Sequence, residues 1–160
     1  MNNEDYIKQK VLFYKNIACF DYLIPIADKF INNLDNYISF HIRYTDNLND
    51  TCKNNNNLNT PLEEFYNKLE LYKDNKILIC SDNNDIINEL KSKNIYYFPN
   101  KIENELLQPI YEMYLLSKSK LIIGSTSSTF SYESAFFQGT DIELYENNKW
   151  VLYELSKYNN

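Results

Sequence analysis

The sequence predicts an α/β domain in three layers, with a mostly parallel sheet of about five strands between helices. Two observations carry this. Short apolar, strand-like runs alternate with segments whose apolar residues recur three and four apart, the pattern of right-handed βαβ crossovers. In addition, three of the apolar runs end abruptly in polar side chains: His41, Arg43 and Asp46 after the first, Ser81 and Asp82 after the second, Ser125 to Ser128 after the fourth. In a parallel sheet these ends share one edge, the edge at which open α/β sheets bind ligands.

In chain order, residues 4–18 place Ile7, Val11, Tyr14, Ile17 and Ala18 at helical spacing. Residues 20–34 repeat the pattern more strongly, with Pro25 in the first turns, where a missing N–H costs least. The first strand spans 37–43, and His41 and Arg43, two residues apart, point to one side of it. A polar loop covers 44–59. Thr60-Pro61-Leu62-Glu63 then reads as a helix start with Thr60 as cap and Pro61 at the first helical position. Its buried stripe is Leu62, Phe65, Tyr66 and Leu69. A second strand covers 76–80, with Ser81 and Asp82 as caps for a helix carrying Ile86, Ile87 and Leu90. A third strand is expected over 94–98. A helix follows over 103–118, with Pro109 marking a fresh start or a kink. The fourth strand, 120–124, runs into a hydroxyl-rich turn and a helix stopped by Gly139. A fifth strand over 141–145 and a tail helix over 149–158 complete the chain. The organisation expected is one Rossmann-like domain over 1–160, with N-terminal helices in 1–35, a core in 37–146 and a tail in 149–160.

Composition narrows the function. The chain has 160 residues, 44% of them apolar and 16% aromatic, enough for a globular core. Only two glycines occur, Gly124 and Gly139, which excludes a GxGxxG fingerprint and a Walker loop. A net charge of -6 argues against nucleic-acid binding. Cys19, Cys52 and Cys80 have no metal-like spacing, and with one histidine a zinc site is not expected. Reduced thiols, a polar N-terminus and no long apolar stretch predict a cytoplasmic protein without membrane span or signal peptide. The asparagine run at 54–57 reads as a tolerated loop.

The Ser125–Ser128 cluster opens a helix, whose N–H groups and dipole favour an anion. An arginine facing such a terminus makes a glycine-free diphosphate clamp. The ordinary readings are a capping serine cluster, a surface ion pair and a structural histidine. The joint occurrence at three strand ends favours the clamp.

The segments HIRYTD, TPLEEFYNKLE, ILICSDNNDIINELK and PIYEMYLLSKSKLIIGSTSSTFSYESAFFQG, spanning roughly residues 37–140, resemble the donor-binding half of GDP-fucose-dependent fucosyltransferases of the α-1,2 and α-1,6 branches. The resemblance implies the C-terminal half of a GT-B fold and a GDP-fucose donor or related nucleotide sugar, with no metal and no further cofactor. It implies that Arg43 grips the donor diphosphate and offsets charge on the leaving GDP. It places His41 near the guanine and its ribose, Glu112 at the guanine edge, and Ser127 and Ser128 near the phosphates. Asp46 and Asp82 match motif acids with partly structural roles. Asp50 is the nearest loop carboxylate for a catalytic base. Two positions depart from the pattern: Tyr44 stands where a second arginine is usual, and Glu112 where aspartate is common.

The resulting expectation is inverting, metal-independent fucosyl transfer to a hydroxyl of a glycan or protein acceptor. A partner chain or homodimer would complete the cleft. The alternatives are a non-catalytic nucleotide-sugar-binding module or a remnant lacking the acceptor half, a receiver-like signalling domain, and a purely structural domain. The receiver reading lacks the lysine it needs, because the later strand ends in Gly124 and Ser125.

Overall fold

The computed structural model describes residues 3–15, 24–43, 60–90, 94–97 and 107–159. The described elements are, in order, α1 (Asn3–Lys15), α2 (Ile24–Ile31), β1 (Ile38–Ile42), α3 (Leu62–Leu71), β2 (Ile77–Ser81), α4 (Asn84–Glu89), β3 (Ile95–Tyr97), α5 (Gln108–Ser117), β4 (Ile122–Gly124), α6 (Thr129–Gln138), β5 (Ile142–Glu146), β6 (Lys149–Tyr153) and a 3-10 turn at Ser156–Tyr158. The strands form one sheet in the order β3-β2-β1-β4-β5-β6. All pairings are parallel except β5–β6. The chain steps outward from β1 to β2 and β3, then returns to β4 on the other side of β1. That reversal puts a topological switch point, and a crevice, between the carboxyl ends of β1 and β4.

Alternation along β1 decides what that crevice contains. Ile38, Phe40 and Ile42 pack with Phe65, Leu69, Ile77, Ile79, Ile86 and Ile123 beneath α3 and α4. Tyr37 joins the other core, where Leu78, Cys80, Ile122 and Leu144 meet α1, α2, α5 and α6. Ser39 and His41, out of phase with the first set, lie on this second side. Tyr37 is 1% exposed, and its hydroxyl donates to the Leu115 carbonyl of α5. Burial drives its pKa far above the ordinary tyrosine value. Tyr37→Phe keeps the ring and removes one of two donors to that carbonyl, the other being Lys118 N–H at 3.3 Å. The expected cost is about 1 kcal/mol, read as a lower urea midpoint with an unchanged slope.

The structure corrects three expectations. Residues 149–153 form β6 rather than the start of a tail helix, which gives the sheet six strands among the described residues. Asn147 and Asn148 have φ of 51° and 62°, the conformation of a two-residue hairpin turn. Glu146 then faces Lys149, and Trp150, Val151 and Tyr153 suit a strand. Only the short 3-10 turn follows.

Thr60 does not cap α3. The helix begins after Pro61 without a side-chain cap, and the Thr60 hydroxyl instead accepts from Thr126 N–H at 2.8 Å. Ser81 and Asp82 do not cap α4 either. Asn83 does, accepting from Asp85 and Ile86 N–H at 2.8 and 3.4 Å. The cap position is the residue immediately before the first helical one, which is Asn83, while Ser81 is still in the strand.

Other expectations hold. Pro109 lies in the first turn of α5. Gly139 ends α6 with φ 64°, a left-handed conformation that glycine adopts without strain.

Candidate functional site at the switch point

The carboxyl end of β1 is clamped from both sides by serine hydroxyls. Ser125 Oγ donates to the His41 carbonyl at 3.0 Å and accepts from Arg43 N–H at 2.8 Å. Ser81 Oγ donates to the Ile42 carbonyl at 2.7 Å and accepts from Asn83 N–H at 3.1 Å. Residues expected to cap helices therefore fix the backbone that presents Arg43. These bonds hold the backbone of His41, Ile42 and Arg43, so the main chain that presents Arg43 is held without using its side chain.

The turn after β4 is tied down equally well. Ser128 N–H donates to the Ser125 carbonyl at 3.2 Å. The Thr126 hydroxyl donates to the Tyr145 carbonyl. Ser127 stands at the tip, exposed, with φ 54°. Ser128 is 1% exposed and caps α6, its hydroxyl accepting from Ser131 N–H at 3.3 Å. Of the two serines implied near phosphates, Ser127 faces outward at the helix start, while the Ser128 hydroxyl points into the protein. The first N–H groups of α6 complete an anion-attracting terminus beside Arg43.

His41 lies under this turn, 7% exposed. Its Nδ1 shares hydrogen bonds with Ser131 Oγ at 2.7 Å and Ser128 Oγ at 3.4 Å, and its ring meets Phe130 at 4.8 Å between centroids. Burial lowers its pKa from 6.5 to about 4. Asp82 opposes that shift and Arg43 adds to it. The imidazole is therefore neutral at pH 7. Asp82 is exposed at the end of β2, within electrostatic reach of His41.

Glu112 lies on α5 over the same side of the sheet. Gln108 Nε2 donates to its carboxylate at 2.9 Å, and burial raises its pKa despite that bond. Its nearness helps raise the pKa of buried Cys80, the register partner of His41 on β2. His41, Arg43, Ser127 and Glu112 thus share one end and one side of the sheet. Asp46, Asp50 and Tyr44 lie outside the described residues. Among the described residues no group of three or more metal-ligating side chains converges, and no helix is long and apolar enough to cross a membrane.

Sequence reasoning missed three contributors. Ser131 orients the His41 ring, and its signal was its place three residues after Ser128, one helical turn on. Thr60 braces the turn. Gly124 permits the close approach of α6: an added Cβ would lie 2.8 Å from Leu144 Cδ2, Ser131 Cβ and Ser131 Oγ. Gly124→Ala therefore has to push α6 off the sheet. The expected cost is about 2 kcal/mol, roughly a 4 to 8 °C fall in Tm for a chain of this size. Differential scanning calorimetry checks it.

A parallel sheet with a switch-point crevice, an arginine and a hydroxyl-lined helix start has the arrangement at which open α/β folds bind ligands. Comparison with solved structures narrows the architecture. The chain superposes on NodZ α-1,6-fucosyltransferase soaked with GDP-fucose with a TM-score of 0.62 at 14% identity, covering 84% of this chain and 48% of that one. NodZ from Bradyrhizobium gives 0.60 at 13% identity, over 88% and 48%. POFUT1 in complex with GDP gives 0.54 at 15% identity, over 75% and 44%. The chain spans about half the length of these structures and has the fold of one half of them. No protein-family model and no curated protein matches the sequence.

Proposed function

We propose that this chain binds GDP-fucose at the β1–β4 crevice and supports fucosyl transfer from it to a hydroxyl of a glycan or protein acceptor. The observation that carries the proposal is Arg43, held at the carboxyl end of β1 beside the start of α6, in a fold shared with fucosyltransferases crystallised with GDP and GDP-fucose.

The diphosphate bridges Arg43 and the α6 N-terminus, with Ser127 at its edge. Neutral His41 lies toward the ribose and guanine. The Glu112 carboxylate accepts from the two N–H groups on the guanine edge. A base without those donors leaves the carboxylate unpaired, which discriminates strongly against it. In the transfer, the acceptor oxygen forms a bond to the anomeric carbon as the bond to the β-phosphate oxygen breaks. GDP leaves with the electron pair, and the configuration inverts. Preorganised donors at that developing charge contribute about 3 kcal/mol each. The acceptor proton passes to a carboxylate, for which Asp50, downstream of β1 in the sequence, is the candidate. The step needs no metal.

The half-length match favours one second reading, a nucleotide-sugar-binding module completed by a partner chain or a second copy. Thermal unfolding with GDP, GDP-fucose, UDP and ADP tests the binding common to both. A ligand at a hundred times its Kd adds about 2.7 kcal/mol. Stabilisation by the two guanine ligands alone is expected, and no shift with either overturns the proposal. Release of GDP from GDP-fucose, assayed with and without candidate acceptors, separates enzyme from module.

A further inference from the structure

The sheet ends on one side in β6, which pairs with β5 and, among the described residues, with no strand on its outer edge. Such an edge is a row of unpaired N–H and C=O groups, and proteins ordinarily blunt it with proline, a bulge or an inward-pointing charge. β6 has none of these. Its sequence is Lys-Trp-Val-Leu-Tyr, and its register with β5 runs one to one through all five residues. Its one charge, Lys149, stands at the first position, beside the turn. Trp150 is fixed under α3 by edge-on contacts to Phe65 and Tyr145, at 5.6 and 5.4 Å between centroids. Leu152, on the same side of the sheet, is 50% exposed. Lys149, Val151 and Tyr153 lie on the other side, where Tyr153 meets Tyr132 of α6. The opposite edge, β3, is only three residues long.

We infer that β6 pairs antiparallel with β6 of a second copy, joining the two sheets into one. A two-fold axis perpendicular to the sheet keeps every side chain on its own face, and an axis through Val151 uses all five residues of the strand. Trp150 of each copy then lies opposite Leu152 of the other, Lys149 opposite Tyr153, and the two Val151 side chains meet at the axis. Each pair is a favourable one: an indole on an exposed leucine, an ammonium beside a phenol ring, and two β-branched side chains at the centre. The two Lys149 groups stand at opposite ends of the pairing, so no like charges meet. This self-complementarity is what favours a second copy over an unrelated strand, and the contact closes on itself, so assembly stops at a dimer. The inference is independent of the donor reading. β6 lies two strands from β4, about 10 Å away, so the pairing extends the sheet and leaves the β1–β4 crevice uncovered. It is distinct from a second copy that completes the crevice.

The test is sedimentation velocity of the whole chain at concentrations from about 10 µM to about 1 mM, a range suited to a small interface. A monomer passing into a dimer, with no larger species, is expected. Val151→Lys and Val151→Glu each place two like charges directly opposite at the axis, and each is expected to raise the dimer Kd about ten-fold or more. An equimolar mixture of the two is expected to recover the dimer, because the same positions then carry opposite charges. That recovery is something a mere disturbance of the fold cannot produce. Leu152→Lys changes an exposed side chain outside the core and is expected to weaken the dimer by a similar factor. All three variants are expected to match the wild type in circular dichroism and in their thermal response to GDP, whatever that response is. A wild type that stays monomeric to about 1 mM overturns the inference. So does a dimer that Leu152→Lys leaves as tight as before, or a mixture of folded Val151 variants that stays monomeric.

Discussion

Arg43→Ala weakens GDP binding at least a hundred-fold, about 3 kcal/mol, and leaves the fold intact. The size follows from losing a charged fork that makes two hydrogen bonds to phosphate oxygens at a part-buried site. The intact fold follows from the backbone. Arg43 N–H is held by Ser125 Oγ at 2.8 Å, and β1 is clamped one residue earlier by Ser81, whatever side chain follows. Arg43→Lys keeps the charge and loses the fork, so its affinity falls between the two. Calorimetric titration with GDP gives the affinities, and urea unfolding of the apo proteins gives the stabilities. Wild-type GDP affinity in Arg43→Ala removes the diphosphate assignment. A large loss of apo stability shows instead that Arg43 supports the fold.

The second large effect is on stability against pH. His41 has a folded pKa of about 4 and an ordinary value of 6.5, so the unfolded chain takes up its proton first as pH falls. Stability from the buried neutral ring is fully present above pH 6.5, falls as the pH drops below that value, and is lost by about pH 4. The loss by pH 4 is about 3 kcal/mol. Because the chain contains one histidine, the difference between wild type and His41→Gln cancels the carboxylates and isolates this ring. The wild type is expected to lose stability relative to the variant from pH 7 to 4 in urea unfolding. A flat difference means that His41 is solvated. Retained GDP binding at pH 7 in His41→Gln shows that the residue serves the turn. Lost binding with intact stability assigns it to the ligand.

The fold class was legible because hydrophobic periodicity is local. The runs at Ile38–Ile42, Ile77–Cys80 and Leu121–Gly124 and the helical repeats between them leave a parallel sheet as the arrangement that buries them all. The polar endings of those runs marked the ligand edge for the same reason, since side chains at strand ends share it by topology alone. Gly139 as a helix stop and Pro109 in a first turn were equally local, each set by one residue's backbone limits.

Tertiary structure decided what those polar groups do. Ser81, Ser128 and Thr60 are each good cap residues by type, yet only Ser128 caps a helix. Ser81 bonds the Ile42 carbonyl, and Thr60 bonds a turn 66 positions away. A hydroxyl bonds whichever backbone group lies nearest, and that distance is fixed by how strands and turns pack. The return of 149–153 as β6 depended on Asn147 and Asn148 at positive φ and on β5 offering an edge to pair with, which no local propensity specifies. The ring of His41 is neutral because α6 covers it, and α6 comes that close because Gly124 carries no Cβ. Residue types alone placed an arginine, a histidine and a hydroxyl cluster at one edge. The contact between β4 and α6 determined which of them face outward and which serve the core.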